Sequence, residues 1–112
     1  MGVGHIYLIM NTNFEYKIGM TKKSVSDRVK QLQTGNSGEL KIISYYEVKN
    51  YGKVETSLHN FFSYKRIRGE WFNLNEEEIL NFEKTVRGFE KAIIDYNYGK
   101  DNILIWERRI EY

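Results

Sequence analysis

The most constraining feature lies near the N-terminus. Two strand-like runs, His5-Ile6-Tyr7-Leu8-Ile9-Met10 and Glu15-Tyr16-Lys17-Ile18-Gly19-Met20, are separated by the polar loop Asn11-Thr12-Asn13. Runs of this kind joined across a short polar loop form an antiparallel hairpin. Side chains alternate across a strand. If Ile6, Leu8 and Met10 share the core face with Ile18 and Met20, Tyr7 and Lys17 therefore fall together on the opposite face.

The elements that complete the sheet follow in order. Ser24 or Ser26 offers an N-cap, Val25, Val29 and Leu32 recur at i, i+4 and i+7, and Gly35 stands just past the end, which predicts a short helix. Arg28 lies off that apolar stripe, where it reaches over the sheet edge while the stripe packs down. Leu40 to Val48, rich in β-branched and aromatic residues, reads as a third strand. From Tyr51 to about Tyr64, Val54, Leu58, Phe61 and Phe62 repeat at helical spacing, and Glu55 and His59 flank that face together. After the basic stretch Lys65-Arg66-Ile67-Arg68, the run from Gly69 to Leu74 looks extended. Asn75 followed by Glu78 is a capping-box-like start for a third helix with Ile79, Phe82, Val86, Phe89 and Ile93 as its stripe. The last dozen residues, with Ile103, Ile105 and Trp106, read as a short edge strand or a docking tail. The third helix and tail are candidates for a homodimer face. The expected fold is a single α/β domain with a small central antiparallel three-stranded sheet flanked by helices, its core spanning about 3–74 and a C-terminal helix and tail 75–112.

Composition narrows the chemistry. With 112 residues, 41% hydrophobic and 15% aromatic, the chain is an ordered single domain rather than a disordered or fibrous one. It has no cysteine, which excludes a disulfide framework, a thiolate zinc site and a cysteine nucleophile, so any metal must sit on oxygen or nitrogen ligands. The start runs straight into a strand pattern, and no stretch is apolar enough to span a membrane, so a cytoplasmic location is expected. The formal net charge of +2 does not by itself announce a polyanionic partner; a local basic face would. Lys22, Lys23, Lys65, Arg66 and Arg68 are candidates for nucleic-acid contact, with solvated surface the competing reading. The lack of proline and the many Asn, Lys, Ile and Tyr hint at an AT-rich genome such as that of a phage, a virus or a low-GC bacterium.

Five short motifs then occur in a telling order: His5-Ile6-Tyr7; Tyr16-Lys17-Ile18-Gly19-Met20-Thr21; Asp27-Arg28-Val29; Glu55-Thr56-Ser57-Leu58-His59; and Gly69-Glu70-Trp71-Phe72. Together, from about Val3 to Leu74, they resemble the GIY-YIG nuclease superfamily in its phage and large-virus branch. Two departures stand out, His5 in place of the first-motif glycine and Lys17 in place of the second-motif tyrosine.

The resemblance implies a metal-dependent DNA endonuclease that hydrolyses phosphodiester bonds with one divalent metal, Mg²⁺ or Mn²⁺. Tyr7 would be the general base, and a neighbouring Lys17 would favour its phenolate or help move the proton. Arg28 presents a planar fork of donors suited to phosphate oxygens. Glu55 would hold the metal, and His59 could bond Tyr7, the attacking water or a phosphate. Tyr16, Gly19 and Asn73 are supporting candidates, Asn73 as the family's late asparagine. Glu70, Trp71 and Phe72 read as structural.

Each pair has a plainer explanation: Tyr7 with Lys17 as an ordinary cross-strand pair, Glu55 with His59 as a helix pair. The rival functions are a catalytically inactive nucleic-acid-binding module of the same fold and a protein-interaction domain.

Overall fold

A computed structural model describes residues 2–101, and the expectations for Ile103, Ile105 and Trp106 lie outside the described residues. The hairpin forms as its pattern predicts, with β1 (Val3–Met10) antiparallel to β2 (Tyr16–Thr21). Asn11 organises the loop: its Oδ1 accepts from the backbone N–H groups of Asn13 and Glu15, and its side-chain amide donates to Glu15. Ser24 caps α1 (Val25–Thr34) by accepting from the Asp27 N–H, and Gly35 ends it. The third strand, β3 (Lys41–Lys49), pairs with the other side of β1, with a bulge at Leu8/Ile9.

The antiparallel α/β class is as expected, but the sheet has five strands in the order β3-β1-β2-β5-β4. The extra two are β4 (Arg66–Arg68) and β5 (Trp71–Phe72), a minimal hairpin that follows α2 (Tyr51–Phe61) and a single 3-10 turn at Ser63–Lys65. They fall below the length at which side-chain alternation is visible. Gly69, at φ +49°, makes the turn between them. The third helix is interrupted: α3 (Glu76–Leu80), opened by the expected Asn75/Glu78 capping box, gives way at Asn81 to α4 (Phe82–Asp101). The Asn81 side chain donates to the Glu77 carbonyl and so competes with helix propagation.

Both faces of the sheet are covered. Ile6, Leu8 and Ile18 pack under α2 and α4 with Val54, Leu58, Phe72, Phe82 and Val86. Tyr7 and Ile9 pack on the other face with Val25 and Leu40, flanked by Val29, Leu32 and Trp71. Met10 and Met20, expected in the core, are half-buried and 38% exposed: Met10 ends β1, and Met20, next to the end of β2, borders an open groove at the start of α2.

The Tyr7 ring lies directly across Gly19, its cross-strand partner, so that a Cβ at Gly19 would overlap the ring's hydroxyl end. Tyr7 is 1% exposed and cannot swing aside. Gly19→Ala is therefore expected to destabilise the domain by roughly 1–3 kcal/mol, the usual cost of overpacking. In a Tyr7→Ala background the same change should cost much less. A double-mutant cycle by urea denaturation tests this, and additive costs would show that the ring does not press on Gly19.

Candidate functional site

The hairpin β4-β5 covers only part of the outer edge of β2. Tyr16 and Lys17 pair with Phe72 and Trp71, and the Ile18 N–H donates to the Glu70 carbonyl at 3.1 Å. Beyond that point β5 has ended. The Ile18 carbonyl, which also points outward, accepts instead from His59 Nε2 of α2 at 2.8 Å. A carbonyl only accepts, so Nε2 carries the proton in this contact.

Side chains from both faces of the sheet meet at this edge. Glu55, His59 and Glu70 each present a ligand atom, all within 4.8 Å of one another. Lys17 Nζ lies 2.9 Å from Glu70 Oε1 and 5.7 Å from the centre of the Trp71 ring. From the other face come the Tyr7 phenol and, beside it, the Arg28 guanidinium, which also donates to Gln31.

The electrostatics follow from this crowding. Burial pushes the Tyr7 phenol above its ordinary value, opposed by the hydrogen-bonding and charge of Arg28 and assisted by the negative charges of Glu70 and Glu55. Burial likewise raises the Glu55 carboxyl, with Glu70 adding to it and His59, Lys17 and Arg28 opposing. Arg28 is thus the cation that acts on Tyr7. Lys17 shares the face of Tyr7 as expected, but it sits opposite Ile9, one register step away, and its charge is directed to Glu70.

Residues 4–87 match the T5orf172 domain. The chain belongs to the T5orf172 domain family. This is a phage-associated domain of nuclease-like type, and the matched stretch contains every residue of the cluster. Searches of curated proteins and of solved structures each returned no match.

In this T5orf172 domain the remaining sequence candidates separate from the cluster. Tyr16 packs on the opposite face, against the Ile6/Ile18 core. Asn73 is exposed, and its N–H donates to the Lys65 carbonyl. The expected basic track of Lys65, Arg66 and Arg68 is engaged internally. Lys65 pairs with Glu78 at 3.3 Å, Arg66 donates to the carbonyl of Gly69 at 2.7 Å, and Arg68 makes a two-pronged contact with Glu15 at 3.0 and 3.2 Å. Lys22 and Lys23 have no carboxylate partner among the described residues.

Glu70 is the site residue that sequence reasoning treated as structural. The available signal was its position beside Trp71, which pairs with Lys17 and so brings Glu70 to the β2 edge.

Two carboxylates and an imidazole that donates to a backbone carbonyl form a donor set able to hold a divalent cation. Without a cation, the ionised Glu55 opposes folding. A carboxyl raised in the folded state contributes stability below its unfolded value and loses it as pH rises through the folded one. Glu55→Gln is thus expected to raise Tm by a few degrees near neutral pH in EDTA, with the gain shrinking as pH falls into the carboxylate range. An unchanged or lower Tm in a thermal melt would contradict this account.

Proposed function

We propose that the protein is a metal-dependent DNA endonuclease of the GIY-YIG type, hydrolysing phosphodiester bonds at the open edge of β2. The observation that carries this reading is the convergence of Tyr7, Arg28, Glu55, His59, Glu70 and Lys17 from separate elements on one edge. A structural cluster would not need a phenol, a guanidinium and two carboxylates together.

Tyr7 is the general base in this reading, with a qualification that its environment imposes. Because the phenol holds its proton in the free protein, it must pass that proton on as it takes one from the attacking water. Glu70 and Glu55 are the carboxylates whose charge reaches it. Arg28 meets the non-bridging phosphate oxygens as negative charge builds at phosphorus. Glu55, with Glu70 and His59 beside it, would hold Mg²⁺ or Mn²⁺. When bound, the cation supplies Lewis-acid stabilisation of the departing 3′ oxygen. Lys17 holds the Glu70 carboxylate in place.

The raised Tyr7 phenol also favours a second reading, a nucleic-acid-binding module of the same fold without turnover. Supercoiled plasmid incubated with the pure protein in Mg²⁺, Mn²⁺ or EDTA separates the two. The expected result is metal-dependent nicking or linearisation that falls by on the order of 10²-fold or more in Tyr7→Phe, Arg28→Ala and Glu55→Ala. Early appearance of linear product would favour a homodimer and nicked product a monomer. DNA binding without cleavage of plasmid, branched or single-stranded substrates would establish the binding module instead.

A further inference from the structure

A groove of about 730 Å³ opens where the candidate site ends. Met20 and Lys22 form one wall, the start of α2 with Tyr51, Gly52 and Lys53 another, and Ile93 of α4 the far side. Its volume falls in the range of roughly 300–1,000 Å³ in which pockets take small organic groups.

The groove lies on the α2 face of the sheet and adjoins the Glu55 side of the cluster. On α2, Gly52 precedes Glu55 by less than one helical turn and Thr56, which also lines the groove, follows it. At Gly52 a Cβ would meet only the Met20 sulfur, at 4.0 Å, an ordinary contact, so the start of α2 lies beside the strand without crowding it. Tyr51 is fixed by its contact with Gly4, where a Cβ would come 2.7 Å from the ring.

Two properties of the groove identify its occupant. The walls are mostly apolar, with a thioether, an aromatic ring and an aliphatic side chain. Its two ammonium groups, Lys22 and Lys53, have no carboxylate partner among the described residues, whereas Lys65 and Arg68 are paired. Intact duplex presents phosphates and base edges and has no use for apolar walls. An unstacked nucleotide has an apolar base face to bury and a phosphate to neutralise, the chemistry by which single strands are held.

Resting on the nuclease reading, we propose that this groove is a subsite for the unpaired nucleotide beside the scissile phosphate. Its base lies against Met20 and Tyr51, and Lys22 and Lys53 hold the flanking phosphates. The substrate class is accordingly single-stranded, splayed or branched DNA rather than uninterrupted duplex.

The test is fluorescence anisotropy of the full-length Glu55→Gln protein in EDTA, with a fluorescein-labelled single-stranded oligodeoxynucleotide and its duplex. Lys22→Gln/Lys53→Gln should weaken single-strand binding by about tenfold and lower the slope of log K against log salt by about one to two. Lys41→Gln/Lys84→Gln, with the same loss of charge elsewhere, should have little effect. Ser57→Trp, which fills the groove without altering charge, should also weaken single-strand binding, with folding checked by its thermal melt. Equal losses in the two lysine pairs, undiminished binding by Ser57→Trp, tighter binding of the duplex, or no binding to the single strand would each overturn the subsite. Groove-dependent binding without plasmid cleavage would instead sink the nuclease reading alone. Cleavage with groove variants that bind as the parent does would sink the subsite alone.

Discussion

Ile18 has both of its outward backbone groups satisfied by other elements, and the site is organised around that fact. Its side chain is fully buried, so an unpaired N–H or C=O here would cost about 1–3 kcal/mol. The N–H is met by the Glu70 carbonyl and the C=O by His59 Nε2. The first bond brings the β4-β5 turn to the strand, and the second draws α2 against it. Glu55 lies one turn before His59 on α2, so docking the imidazole also places the carboxylate. A requirement of backbone hydrogen bonding thus sets the distance between two acidic side chains that have no reason of their own to approach.

Their approach is tolerated because cations surround it. Glu70 is paired with Lys17, and the charges of His59, Lys17 and Arg28 all act to lower the Glu55 carboxyl against its burial and the charge of Glu70. The balance still leaves Glu55 and Tyr7 raised. Burial and a neighbouring like charge, which displace these groups, are the means by which functional sites shift their titratable side chains. The two-sided core is what makes their clustering possible. Tyr7 is buried by α1 from one face, and α2 approaches from the other, so they meet only where the sheet stops.

The hairpin, α1 with its Ser24 cap, β3, the Val54, Leu58 and Phe62 stripe of α2 and the Asn75 capping box were legible because each rests on local periodicity or on a side chain bonding a few residues away, whereas Phe61, expected on the same stripe, is 52% exposed. The pairing of β2 with β5 was not. A two-residue strand has no period to read, and its placement depends on Phe72 and Trp71 entering opposite cores. Of the candidate site, Tyr7, Lys17, Arg28, Glu55 and His59 were legible through motif order, and the structure brings all five to one edge. Their partners were not. Lys17 was expected to act on Tyr7, but an ion pair across 53 positions of sequence cannot be anticipated from alternation on a single hairpin. Glu70 was passed over for the same reason.

The basic stretch Lys65-Arg66-Ile67-Arg68 shows why charge must be followed to its partners before it is assigned to a ligand. In sequence it looked like a phosphate track beside the site. In the fold, β4 has all three residues exposed and no apolar side chain buried, so it needs another source of stability. Arg68 supplies it by gripping Glu15, which Asn11 already holds, and Arg66 by bonding the Gly69 carbonyl while its guanidinium lies 5.1 Å from the centre of the Phe72 ring. Gly69 leads directly into Glu70. The cations that seemed to await DNA therefore fix the turn from which the second carboxylate reaches the β2 edge, and Lys22 and Lys23, with no carboxylate partner among the described residues, follow the other end of β2.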